Sequence, residues 1–176
     1  GAAASYLLPL PFFSQVELGF WTPTAEEEEE EEDHSEIEYE NRIINGRVWN
    51  AFKLQEATDL EVGLSYVFGN PTADESYEEQ HVVGVDVVLN HELDKTRTLK
   101  VHTEYYSASY AEDDETSRES QDGGFVSTEL SLDDKHDVGL RYGVLGKHGD
   151  EGSTMSQLAL SLTRQLTDTT KFRVQY

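Results

Sequence analysis

Residues 60–69 read L-E-V-G-L-S-Y-V-F-G and residues 137–146 read D-V-G-L-R-Y-G-V-L-G, so one pattern occurs twice. Val62, Leu64 and Tyr66 align with Val138, Leu140 and Tyr142, while Gly63 and Ser65 align with Gly139 and Arg141. Strict alternation with a period of two belongs to a β-strand whose two faces meet different surroundings. One face here is large and apolar, and the other is small or charged. Such a strand either lines a soluble core or stands in a membrane barrel.

The alternation recurs along the chain. Val16, Leu18 and Phe20 alternate with Gln15, Glu17, Gly19 and Trp21. Residues 6–13 hold two prolines, which cannot donate to a central ladder, and read as an entry segment or strand edge. A long strand is predicted from about Ile37 to Leu54, with a bulge near Ile43 and Ile44 accounting for two adjacent apolar residues. Further strands are marked by Val83 to Leu89, Leu99 to Tyr105, Val126 to Leu132, Leu158 to Leu162 and Phe172 to Tyr176. Short connections alternate with long acidic loops at residues 23–36, 70–80, 111–124 and 147–154, as in an up-and-down meander with two unlike rims. No 3.6-residue apolar face persists. The expected fold is a single all-β domain over residues 1–176, an antiparallel up-and-down transmembrane β-barrel of about nine strands.

Composition bears on where that fold resides. Hydrophobic residues make up 36% of the chain, and no run approaches the roughly 18 to 20 apolar residues of a membrane helix. A barrel strand needs only about 9 to 11 residues with every second one apolar. There is no cysteine, which removes disulfides, thiolate metal sites and cysteine nucleophiles together. The net charge of -23 sits mostly in the long loops, so nucleic acid is not an expected partner. Gly1 to Ser5 has no basic stretch followed by an apolar core, and no signal peptide is expected there.

In a soluble barrel the apolar face points inward; in a membrane barrel it points to lipid and the polar face lines the interior. The polar face carries Glu17, Arg47, Lys53, Glu61, Asp86, Lys100, His102, Glu104, Glu129, Arg141, Lys171 and Arg173. Only 13 Lys and Arg stand against 36 Asp and Glu, yet many of the cations fall on this one face. An interior wall needs opposite charges near each other, to offset desolvation or to set the field of a channel. The charge placement therefore favours the membrane barrel, with these side chains as candidate lumen lining. A small non-conducting barrel acting as an anchor or adhesion module, and a soluble lipocalin-like binder, are the alternatives.

Residues 6–20 (Y-L-L-P-L-P-F-F-S-Q-V-E-L-G-F), 123–127 (G-G-F-V-S), 137–142 (D-V-G-L-R-Y) and 171–176 (K-F-R-V-Q-Y) resemble strands of Gram-negative outer-membrane porins, broadly of the phosphate-selective group. The resemblance implies an outer-membrane diffusion channel for small polar solutes or ions, in contact with outer-membrane lipid and assembled as a homotrimer. The acidic loops depart from the basic loops of anion-selective relatives. An odd count of nine strands, where single-chain bacterial barrels have even numbers, leads to the expectation that the chain is a piece of a larger barrel.

Other chemistry has weaker support. Glu26, Glu28, Glu30 and Asp33 belong to an acidic run that carries hard-cation ligands, but consecutive like charges repel and no glycine turn organises them. The histidines lack H-x-x-x-H spacing, so no metal or other cofactor is expected. His102 and Glu104 are same-face neighbours that a hydrolase would need to combine with a serine, and no G-x-S-x-G is present. No enzymatic activity is expected. Phe20, Tyr66, Phe68, Tyr105, Tyr142, Phe172 and Tyr176 fall on the apolar face near predicted strand ends, where interface aromatics or core packing would place them.

Overall fold

Alternating sequence becomes a meander. The computed structural model describes residues 1–22, 43–69, 77–112, 118–146, 153–167 and 170–176. Ten strands follow one another: β1 (Ala2–Leu7), β2 (Phe13–Trp21), β3 (Ile43–Gln55), β4 (Thr58–Gly69), β5 (Tyr77–Glu92), β6 (Thr98–Glu112), β7 (Arg118–Ser131), β8 (His136–Leu145), β9 (Met155–Gln165) and β10 (Lys171–Gln175). They form one sheet in sequence order, each antiparallel to the next, with β1 and β10 as its edges. The all-β, up-and-down architecture expected from the alternation is thus present, and among the described residues the sheet is not closed.

The count is ten rather than nine, because Ala2–Leu7 is itself a strand paired with Gln15 to Phe20. Three consecutive alanines offer no two-faced pattern, so composition hides a strand that the hydrogen-bond ladder reveals. With an even count, the parity argument for a larger barrel lapses, while the open sheet is consistent with the expected piece of one. The expected bulge at Ile43 and Ile44 is absent, since the β2–β3 register runs unbroken to Trp21 opposite Ile43. The register instead shifts between Lys53 and Gln55, next to the β3–β4 turn. Two expected loops are shorter than their acidic composition implied: β5 starts at Tyr77, and β6 and β7 extend to Glu112 and from Arg118. Backbone pairing does not require apolar side chains, so these ladders run past the apolar band. Residues 23–42, 70–76, 113–117 and 147–152, which hold the rest of the predicted acidic loops and the first part of the predicted long strand, lie outside the described residues.

Three of the short turns share one design. The N–H of Leu93 donates to the Arg97 carbonyl, that of Leu132 to His136 and that of Leu166 to Thr170, at 2.9, 2.8 and 2.9 Å. In the first, the Asp94 carboxylate accepts from the backbone N–H of Thr96 at 3.0 Å and from the Arg97 guanidinium at 2.6 Å, which hold its pKa down to about 2. In the second, Asp133 accepts from the Lys135 N–H at 2.8 Å and from the His136 ring at 3.0 Å, and it too lies below the usual carboxylate range. Asp at the first turn position is favoured for this reason: its side chain accepts from N–H groups two and three residues on.

The two faces have opposite environments. Leu18, Leu64, Leu140 and Leu158 are 60%, 53%, 51% and 66% exposed, and Phe20, Tyr66, Val85, Tyr105, Tyr142 and Val174 on the same face are exposed as well. Asp86, Val88, Ala159, Ser161 and Thr163 are buried, and all of them belong to the polar face. Ser14 is the buried residue of the apolar face, where residues 8–12 fold back and Phe12 packs on Phe52 at 4.8 Å. Side chains converge on the inside of a curved sheet and splay on its outside. The polar face is therefore concave and the apolar face convex.

Candidate functional site

The antiparallel registers place Glu17, Arg47, Lys53, Glu61, Asp86, Lys100, His102, Glu104, Glu129, Arg141, Lys171 and Arg173 all on the concave face. They do not form one cluster. Two hollows divide them, one under β2 to β6 and the other under β7 to β10.

The first hollow, about 400 Å³, is lined by Glu17, Arg47, Glu61, Asp86, His102 and Glu104, with Trp49 and Val88. Arg47 on β3 donates to both oxygens of Asp86 on β5 at 2.9 and 3.1 Å, reaching across β4. That reach spans two strand spacings of roughly 4.8 Å. It is open because the intervening residue is Gly63, where a Cβ would collide with the Asp86 carboxylate. Asp86 is only 9% exposed and gains the bidentate partner that a buried carboxylate requires. Glu17, opposite Arg47 in register, accepts from Gln15 Nε2 at 2.9 Å, and Glu61 accepts from Asn90 Nδ2 at 3.4 Å. With Arg47 occupied by Asp86, the carboxylates of Glu17, Glu61 and Glu104 give this hollow a negative field.

The second hollow, about 360 Å³, is lined by Glu129, Arg141, Arg173, His102, Ser161 and Phe125 among others. Arg173 on β10 crosses β9 and β8 to reach Glu129 on β7 at 3.8 Å, and donates to Ser161 Oγ at 2.9 Å on the way. Gly139 lies beneath the path. Arg141 has no carboxylate partner among the described residues; its guanidinium carbon lies 3.7 Å above the Phe125 ring. His102 meets the same ring edge-on at 4.9 Å. One carboxylate against two guanidiniums gives this hollow a positive field. A larger concavity of about 630 Å³ continues from Arg141 toward Tyr106, Met155 and Gln157.

Lys53, Lys100 and Lys171 lie outside both hollows. Lys53 pairs with Asp59 at 3.3 Å near the β3–β4 turn, Lys100 faces Glu129 across the β6–β7 register, and Lys171 opens β10. His102 and Glu104 do not assemble into a Ser/His/acid arrangement. Ser127 donates its hydroxyl to the His102 carbonyl oxygen at 3.4 Å, not to the imidazole. Glu26, Glu28, Glu30 and Asp33 fall outside the described residues, among which no group of three or more potential metal ligands occurs. On the convex face, the Tyr66 hydroxyl and His81 Nδ1 are 2.7 Å apart and Phe68 packs on the same ring at 4.9 Å. Tyr105 and Tyr142 stand mid-strand, away from the strand ends predicted for them.

Sequence reasoning passed over Phe125, Ser161 and Asp59. Phe125 occupies a concave position in G-F-V-S-T, where parity alone identifies it. No family model, curated protein or solved structure matches the chain.

Proposed function

We propose that this protein is an outer-membrane, porin-like β-structure whose convex face meets lipid and whose concave face lines a path for small polar solutes or ions. The observation that carries the reading is the inversion of the two faces. A Leu, Val or Phe side chain contributes roughly 1.5–3 kcal/mol when fully buried. Leaving Leu18, Leu64, Leu140, Leu158 and their neighbours in water would forgo more than the ~5–15 kcal/mol that holds a whole domain folded. Lipid removes that loss, and an apolar band this broad is the mark of such a contact. The polar concave wall then needs either water or internal ion pairs, and Arg47–Asp86 and Arg173–Glu129 supply pairs of that kind.

A second reading rests on those same pairs. Both bridge non-adjacent strands across the concave face, and the interior of a barrel near eight strands is filled by side chains. On that reading the structure is a non-conducting membrane anchor. Flotation with lipid vesicles tests the membrane assignment shared by both, and protein left in the dense, lipid-free fraction would overturn it. Planar-bilayer recording separates them: discrete conductance steps support the channel, and a silent bilayer with protein demonstrably inserted supports the anchor.

A further inference from the structure

We propose that the seam between the two hollows binds a small zwitterion, an amino acid or dipeptide whose carboxylate lies on Arg141 and whose ammonium lies on Glu104. Such a site rests on the reading of the concave face as a solute path, and it gives that path its class of solute. Two opposite charges stand close there without meeting. Phe125 on β7 is directly opposite Glu104 on β6, and the Arg141 guanidinium carbon lies 3.7 Å above the Phe125 ring. The two charges therefore stand over adjacent strands, whose spacing is roughly 4.8 Å. No ion pair joins them, and among the described residues neither side chain has a partner of opposite charge.

Each charge lacks compensation for its own reason. Asp86 and Glu104 are cross-strand partners on β5 and β6, and like charges so placed repel. Arg47 gives its hydrogen bonds to Asp86, so Glu104 is left as the carboxylate that an incoming ammonium would offset. Arg173 is turned to Ser161 and Glu129, which leaves Arg141 as the free cation of the seam among the described residues. A guanidinium resting on a ring keeps the N–H donors of its own plane, and these fit both oxygens of a carboxylate. His102 lines both hollows and meets Phe125 edge-on at 4.9 Å, so two rings floor the space between the charges. The concavity of about 630 Å³ beyond Arg141 has room for a side chain or a second residue. A simple anion would meet the negative field of Glu17, Glu61 and Glu104, and a simple cation that of Arg141 and Arg173. A solute that carries both charges meets a counter-charge at each end.

Equilibrium dialysis of dialanine, its N-acetyl derivative and its C-terminal amide against the full chain in detergent micelles tests the site without requiring conduction. Dialanine should bind about tenfold or more tightly than either singly charged derivative, because each derivative leaves one protein charge unmet. Arg141→Gln should abolish the preference over the amide and Glu104→Gln the preference over the acetyl form, while Arg141→Lys should retain most of the first. Far-ultraviolet circular dichroism in the same micelles checks that each variant keeps its β signal. Equal affinities for the three ligands in the unsubstituted protein would overturn the proposal. So would tightest binding of either derivative, which marks a site for a single charge, or folded Gln variants that keep both preferences. Planar-bilayer recording separates the site from the wider reading. A dialanine preference with a silent bilayer refutes the channel alone, and conductance steps without the preference refute the site alone.

Discussion

The hollow under β2 to β6 and the hollow under β7 to β10 are built on the same face of one sheet, with the same alternation, yet they treat charge differently. In the first, both oxygens of a nearly buried carboxylate accept from one guanidinium nitrogen, and further carboxylates surround the pair. In the second, an arginine reaches a carboxylate at the limit of an ion pair, and another arginine lies on an aromatic ring. The Asp86 side chain retains 12% of its exposure, against 38% for Glu129. Burial raises both the cost of an unpaired charge and the value of its partner. The acidic hollow is therefore tightly coupled, and the basic hollow is loose and leaves Arg141 available.

The largest difference should come from breaking each pair. Asp86→Ala leaves Arg47 without its bidentate partner and should lower stability by about 2 kcal/mol, whereas Glu129→Ala should cost no more than about 1 kcal/mol. Urea denaturation of both variants in the same detergent checks this, and equal losses would abolish the contrast. Next in size is a pair of glycine substitutions. Gly63→Ala pushes a methyl group into the Asp86 carboxylate, while at Gly139 a Cβ meets the Ser161 hydroxyl, which can rotate away, and stays 3.9 Å from Arg173. Gly63→Ala should reproduce much of the Asp86→Ala loss and Gly139→Ala little of it, as read by thermal melting.

Charge removal sharpens the contrast in function. Arg141→Gln should shift ion selectivity toward cations and Glu104→Gln toward anions, measured as opposite changes in reversal potential across a salt gradient. Arg141→Gln should also cost only about 0.5–1 kcal/mol of stability, the worth of an exposed cation–π contact. The smallest effect concerns the turns attached to each half. Folding lowers the pKa of Asp94 to about 2 and that of Asp133 below the usual carboxylate range. Each contribution is thus complete above the unfolded value near 3.9 and is lost as pH falls through the folded one. Carboxyl-carbon NMR titration should show Asp94 ionised well below pH 3.9, and an ordinary midpoint would discard the turn assignment.

Alternation alone identified most strands, both faces and the antiparallel order, because a strand's side-chain period is local and fixed at two. Leu64 and Gly63 reveal their opposite faces without any knowledge of their neighbours. β1 escaped because Ala2 to Ala4 carry no contrast between faces, and the acidic ends of β5, β6 and β7 escaped because composition registers solvation and not pairing. The concave set was legible by parity, but its division into two hollows was not. Arg47 and Asp86 are 39 positions apart, and only the combined registers of β3, β4 and β5 bring them together over a glycine.

What the chain's order of residues determined by itself is therefore a two-faced antiparallel meander with its cations gathered on the polar face. The tertiary structure decided which face is concave, which charges meet and where the two edges stand. Curvature and register are sums over many strands, and a two-residue period, being the same in a soluble core and in a membrane wall, carries no record of either.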